Sequence, residues 1–287
     1  MIFKISACVV AYHPDAGFSE RLGSIRAQVD QLLVVDNSED GSLELPHLPD
    51  VTILRNANRG GIAGALNMAI DHARANAFTH LSFFDHDSNV PAGMVPRLTE
   101  RLEQGQGTLI GPIYTNSSTN RPGRFVIDVD GKPKSQWISE SRGVIPAFFL
   151  ITSGTVLALA RLPESLCYDE SMLVDMVDVE FCLCVRQAGG RILLDTDSTM
   201  AHGIGNREVG ASRFAPPNYS ERRFRMIVAN RILIWRRWSR VYPRYVMLDV
   251  MVMFADLIRN TLLLKNRLVY LRAVGRGLRD GVTRPLA

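Results

Sequence analysis

The stretch Leu81-Ser82-Phe83-Phe84-Asp85-His86-Asp87-Ser88 decides the fold: an apolar, strand-forming run stops at two carboxylates one residue apart. Such a run reads as a buried parallel strand, and open α/β sheets place their ligands beyond the C-terminal ends of those strands. Alternate strand residues share a face, so Asp85 and Asp87 point the same way if the pleat persists to the strand's end. Two hard oxygen donors there suit Mg²⁺ or Mn²⁺ bridging to a phosphate. An Asp-rich turn with nothing bound accounts for the same residues, so the surrounding chain has to decide.

Working outward, Ile5 to Tyr12 reads as a buried strand broken by His13-Pro14-Asp15. Phe18, Leu22, Ile25 and Val29 have helical spacing, Gln31 to Val35 is a second apolar strand ending in Asp36-Asn37-Ser38, and Val51 to Leu54 is a third. A polar turn, Arg55 to Gly61, leads into a helix over Ile62 to Ala77. Strands alternating with helices through short loops predict a mostly parallel sheet with helices on both faces. Parallel strands would gather their polar ends on one edge: Tyr12-His13, Asp36-Asn37, Asn56 to Gly61 with Asn58, and Asp85-His86-Asp87. The turn Asn58-Arg59-Gly60-Gly61 either offers backbone N–H groups to an anion or simply caps the next helix.

Beyond Pro91, Thr108 to Tyr114 reads as a strand, Arg124 to Asp128 with a turn at Asp130-Gly131 as a hairpin, and Ser153-Gly154 as a bend or close backbone approach. The acidic run from Tyr168 to Glu180 enters a helix over Phe181 to Ala188, stopped by Gly189-Gly190, and Arg191 to Leu194 is a short strand. Asp178 and Glu180 form a second carboxylate centre, explained equally by a general base or by a helix cap. His202 is either a ligand or a hydrogen-bonded structural histidine.

The 287 residues are 46% hydrophobic and 22% charged, ordinary for a folded protein able to bury a large core. The net charge of +4 is unevenly spread: from Glu221 onward fifteen Lys/Arg face four Asp/Glu. That asymmetry points to an anionic partner of the C-terminal part. Its helices mix apolar faces, Trp235 and Trp238 at their edges, and Arg/Lys, as helices lying on an anionic membrane do. A bundle packed on the main domain with a solvated basic face fits as well. Val246 to Leu264 is interrupted by Asp249, Asp256 and Arg259, too broken for a spanning helix, and no nucleic-acid recognition motif stands out. Cys8, Cys167, Cys182 and Cys184 form neither a disulfide framework nor a zinc set, so reduced thiols are expected. Met1-Ile2-Phe3-Lys4 leads straight into a strand without a charged leader, which predicts a cytoplasmic chain.

In this order the segments resemble the family-2 glycosyltransferases, and within them the bacterial rhamnosyltransferases. Val9-Val10-Ala11-Tyr12-His13-Pro14-Asp15 resembles V-x-x-Y-N-P-D, with His13 for Asn, and Leu33 to Ser38 is similar to V-V-D-N-x-S. Asn58 to Asn67 resembles N-x-G-[IG]-A-x-A-x-N with one residue more, Phe84 to Ser88 resembles L-D-Q-D-S, and Ile151 to Gly154 resembles I-T-S-G. Val174 to Glu180 is similar to I-D-x-V-D-x-E and Ala201 to Gly205 to H-x-[IG]-G. Near the end Met226-Ile227 before Ala229-Asn230 replaces a Tyr-Tyr before Arg-Asn.

The resemblance implies a GT-A fold, a Rossmann-like mixed α/β sheet with helices on both faces. Its parts would be a nucleotide-sugar-binding half (residues 1–115), an acceptor-binding catalytic half (116–220) and a basic helical extension (221–287). It implies an inverting sugar transferase, with dTDP-rhamnose the favoured donor and a glycan or lipid-linked acceptor at the inner face of the cell membrane. Tyr12, Asp36, Asn58, Asn67 and Asp85 would contact the nucleotide sugar. Asp85 and Asp87 would hold Mg²⁺ or Mn²⁺ with His202 as a further ligand, and Asp178 would be the base. Thr152, Ser153, Gly154, Asp175 and Glu180 would line the acceptor side. A homo-oligomer is left open. The alternatives are a nucleotidyltransferase, which would carry a Gly-rich basic loop where Tyr12-His13-Pro14-Asp15 stands, and a catalytically silent carbohydrate- or membrane-binding module.

Overall fold

In the computed structural model, which describes residues 3–116, 121–138, 140, 142–202 and 219–286, the run ending at Asp85 lies inside a nine-stranded mixed sheet. The first half of the chain gives β1 (Ile5–Ala11), α1 (Phe18–Arg26), β2 (Gln31–Asp36), β3 (Val51–Arg55), α2 (Gly61–Ala75), β4 (His80–Asp85) and α3 (Met94–Gln104). It continues through β5 (Leu109–Asn116), β6 (Arg121–Pro122), β7 (Arg124–Val129), β8 (Lys132–Trp137), β9 (Val144–Pro146) and β10 (Val156–Ala158). The remainder is α4 (Val177–Gln187), β11 (Ile192–His202), α5 (Glu221–Trp238), α6 (Pro243–Leu263) and α7 (Arg267–Thr283).

Strand order is β3-β2-β1-β4-β10-β5-β11-β9, with β6 paired beside β5. The first four strands are parallel, β10 runs against both β4 and β5, and β9 runs against β11. Every residue of β1 is buried because both faces are covered. Cys8 and Val10 enter the core beneath α2 and α4, while Ala7, Val9 and Ala11 enter the core beneath α1 and α3. That double burial is why the strands read as continuous apolar runs. The hairpin β7–β8 turns at Asp130 and Gly131, whose φ angles of 53° and 75° match the left-handed pair of a type I′ turn.

Two elements exceed their expected bounds. α4 begins at Val177, not Phe181, so Asp178 and Glu180 belong to its first turn. β11 runs on to His202 through an irregularity between Asp195 and Thr199. There the fully buried Asp195 carboxylate accepts from Arg101 (2.6 Å) and Ser198 (2.6 Å), so a polar segment resembling a loop is held inside the sheet.

The basic C-terminal segment divides. α5 packs on the main domain, and its tryptophans do not sit at an outer edge: Trp238 is 3% exposed and Trp235 donates to Asp249 (2.7 Å). Glu180, 1% exposed, accepts from Trp238 Nε1 at 2.5 Å and pairs with Arg237, which also bonds Asp169. α6 behaves differently, exposing Met247, Met251, Phe254, Ile258 and Leu262 along one helical face. Among the described residues no helix is long and apolar enough to cross a membrane.

Removing Glu180 leaves the buried Trp238 indole N–H without its acceptor and the half-buried Arg237 guanidinium with Asp169 alone. Glu180→Ala is expected to lower unfolding stability by about 3 kcal/mol in urea titrations. An unchanged midpoint would show that α5 docks without this pair.

Candidate functional site at the sheet's C-terminal edge

Strand register puts the site together. Ala11 of β1 lies opposite Asp36 of β2, Asp36 lies opposite Arg55 of β3, and Val10 lies opposite Asp85 of β4. The segments after these four strands therefore meet on one edge. The pleat does not persist through Asp87, however: β4 ends at Asp85, and His86-Asp87 form a turn closed by Ser88 N–H to Asp85 C=O (3.1 Å). The two carboxylates share a turn, not a strand face, because Ser88 and Ser153 draw the backbone round. Asp85 N–H donates to Ser88 Oγ (3.2 Å) and Ser153 Oγ (3.4 Å), the two hydroxyls lie 2.7 Å apart, and Arg21 Nε donates to His86 C=O (2.9 Å).

Ser153 is thus 2% exposed and braces the Asp85 turn from beneath. Gly154 beside it has φ 86° and donates to Phe83 C=O, and an added Cβ would lie 2.9 Å from Pro112. Thr152 hydrogen-bonds the buried Tyr168 hydroxyl. A cleft lined by Pro112, Tyr114, Phe125, Phe149 and Ser153 opens next to this brace.

On the β1–β3 side, Glu39 is the hub that the sequence reading missed. It accepts from Tyr12 (3.2 Å) and Asn58 (2.9 Å), and its other oxygen lies 3.2 Å from His13 Nε2. Its place three residues past a strand end was the available signal. Asp36 is fully buried and receives N–H groups of Ser38 (3.0 Å) and Leu43 (3.2 Å) and the Arg55 guanidinium (3.3 Å), so it shapes the loop after β2. Asn67 makes none of these contacts with Glu39. Its side chain exchanges hydrogen bonds with the Tyr168 backbone (2.8 and 3.0 Å) and donates to Glu170, fastening α2 to the segment before α4.

Asp178 stands in the first turn of α4, its Oδ1 accepting from Val179 N–H (2.8 Å). Burial pushes its carboxyl up to about 6; that N–H opposes the rise, and the charges of Asp175 and Asp85 add to it. Asp175 is held in a two-point ion pair by Arg223 (2.9 and 3.0 Å). Glu180 faces the opposite way, into the α5 contact, so it does not line an acceptor surface. Asp178, two residues earlier, points away from it because each helical residue turns the direction by about 100°, so the two side chains diverge by roughly 200°.

Among the described residues no cluster of three or more His, Cys, Asp or Glu could hold a metal by itself. Two carboxylates at the β4 turn suit an ion that fills its shell with phosphate oxygens and water, not a closed protein cage. The backbone of β11 approaches this turn, since Ala201 bridges Asn89. The side chain of His202 lies outside the described residues.

The architecture and sequence agree with known proteins. Residues 6–151 match the model of Glycosyl transferase family 2. The chain is 24% identical over 286 residues to the dTDP-rhamnosyl transferase RfbF of Shigella flexneri, covering 97% of this chain and 95% of that protein. It is 30% identical over 130 residues to the uncharacterized glycosyltransferase EpsJ of Bacillus subtilis, covering 42% and 37%. Among solved structures it resembles GalNAc-T7 with UDP, GalNAc and Mn²⁺ (TM-score 0.59, 13% identity, 85% of this chain and 49% of that one). It also resembles S. aureus TarS 1–349 in complex with UDP-GlcNAc (TM-score 0.54, 13% identity, 97% and 81%). This chain spans about half the length of GalNAc-T7. The fold is that of the GT-A glycosyltransferases, and the chain belongs to glycosyl transferase family 2.

Proposed function

We propose that the protein moves L-rhamnose from dTDP-rhamnose to a hydroxyl of a glycan or lipid-linked acceptor in cell-surface polysaccharide synthesis, inverting the anomeric centre. The observation that carries this reading is the placement of Asp178, its carboxyl pushed up to about 6, within electrostatic reach of Asp85 in the β4 turn. The near full-length similarity to a dTDP-rhamnosyl transferase supports the donor.

Asp178 takes the proton of the acceptor hydroxyl as that oxygen bonds to the anomeric carbon and the bond to the diphosphate breaks on the opposite face. A carboxyl near 6 is ionised at neutral pH yet more basic than an ordinary aspartate. Tyr12 and Asn58, gathered by Glu39, border the nucleotide beside the loop shaped by Asp36. Ser153 and Gly154 hold the turn that carries Asp85, and the adjoining cleft receives the sugar or acceptor. Asp85 and Asp87, with His202 as a further ligand, would hold Mg²⁺ or Mn²⁺, which when bound offsets the charge of the departing diphosphate.

The acceptor sits at an anionic membrane, on which α6 lies. Its open apolar stripe supports this, as do the basic residues at its two ends: among the described residues Arg240, Arg244, Lys265 and Arg267 are exposed and enter no ion pair. This orientation accounts for a C-terminal positive excess that internal pairs do not consume.

Donor turnover is expected with Mn²⁺ or Mg²⁺ and to vanish in EDTA, and Asp178→Asn should lower kcat by about a thousand-fold; undiminished turnover in either case defeats the mechanism. Because the folded chain holds the Asp178 proton more tightly than the unfolded chain, its ionisation costs stability as pH rises from about 4 through 6. Asp178→Asn should therefore raise Tm at pH 8 relative to wild type and change it little at pH 4.5. For the membrane, flotation with phosphatidylglycerol vesicles should exceed that with phosphatidylcholine vesicles and weaken with salt, and Phe254→Asp/Ile258→Asp should abolish it. Equal recovery of wild type and variant removes α6 from the interface.

A further inference from the structure

The segment leading into Asp178 is strained, and the strain is held from outside. Leu173, Asp175 and Met176 all have positive φ (58°, 58° and 64°), three side-chain-bearing residues in a region of backbone space that only glycine enters freely. Such a run persists only where its surroundings over-determine it. One restraint comes from α2, where Ile62 N–H donates to Leu173 C=O (3.0 Å). Gly61 makes that approach possible, since an added Cβ would lie 2.2 Å from the same oxygen.

The stronger restraint comes from α5. Asn230 is fully buried, and its amide nitrogen lies 2.9 Å from Met172 C=O, 2.8 Å from Val174 C=O and 3.0 Å from Asp175 C=O. Two amide hydrogens are thereby shared among three carbonyls that the left-handed turns point inward. Its oxygen is satisfied separately by Arg284 (2.8 Å). Seven residues earlier on α5, Arg223 grips the Asp175 carboxylate with two parallel bonds, its guanidinium resting on Tyr219. Both contacts fall between Met172 and Met176, the residues that fix where α4 starts and where its first turn aims.

We infer that α5 is part of the catalytic apparatus, with Asn230 and Arg223 as positioning residues that hold the 172–176 turn and thereby aim Asp178. This rests on Asp178 being the base. A helix serving only to cover the core would have no need to grip a strained turn by its carbonyls, since apolar contact suffices for burial.

The test compares purified full-length variants in donor–acceptor turnover, thermal melting and hydrogen exchange. Asn230→Ala should lower kcat by about a hundred-fold while leaving donor KM within about twofold, with faster exchange at residues 173–178. Arg223→Ala, at a half-exposed site, should show the same pattern more weakly while still melting cooperatively, and Arg223→Lys should restore part of kcat. Arg225→Gln serves as the control. It breaks the Arg225–Asp280 pair between α5 and α7 without touching the turn, and should keep wild-type kcat. Wild-type kcat in both Asn230→Ala and Arg223→Ala would falsify the inference, as would an equal loss in Arg225→Gln. Should Asp178→Asn remain active, the base assignment fails instead; a dead Asp178→Asn beside an active Asn230→Ala removes the positioning role alone.

Discussion

Parallel strands leave a sheet by the same edge because each needs a crossover to bring its successor back in the same direction, and β1, β2, β3 and β4 all obey this. Everything polar that follows them is thereby delivered to one place without any side chain having to specify it. The pairing of Val10 with Asp85 and of Ala11 with Asp36 sets the depth at which each loop emerges. Apolar burial on both faces then makes slippage expensive, since a one-residue shift would turn Cys8 and Val10 into the opposite core. The site inherits its precision from that register.

Precision at the second carboxylate centre has another origin. Asp178 is on a helix whose start is set by a left-handed turn, and turns of that kind have no register to borrow. Glu180, two residues after Asp178 and so on the opposite side of α4, reaches Arg237 and Trp238 on α5, while Asp175 reaches Arg223. Of these three acidic residues, Asp178 thus lies within electrostatic reach of the β4 turn, while Asp175 and Glu180 are taken up by contacts to α5. The charge asymmetry of the chain follows in small part from this arrangement, because among the described residues Arg223 and Arg237 answer carboxylates that precede the C-terminal helices.

The strands before Asp85 were legible from residue order because buried parallel strands are continuous apolar runs, and the Asp130-Gly131 hairpin because left-handed turn chemistry is local. The continuation of β11 was not, since Asp195 and Ser198 look like loop residues until Arg101 arrives from α3. The Asp85–Asp87 pair was found by its composition, but its geometry was misjudged: the serine that bends it, Ser153, lies 65 residues beyond Ser88. Asn67 and Glu180 carry the right chemical groups in the right order, yet their partners, Tyr168 and Trp238, are distant in sequence. Glu39 carries no sequence signal of its role beyond its place after a strand end, and Asn230, visible only as half of an altered pair, gives none of its contacts, because single polar residues declare nothing until their neighbours are known.

The insertion of β10 between β4 and β5 bears on what can be taken apart. Residues 6–151, which identify the family, stop short of β10, α4 and β11. A fragment cut there would leave β4 with one free edge and β5 with neither of its long-range neighbours, exposing backbone donors and acceptors beside Leu81 and Phe83. The segment that carries the family match is therefore smaller than the unit that folds. Residues 6–151 cannot be exchanged between relatives as a module unless the strand threaded through their sheet travels with them.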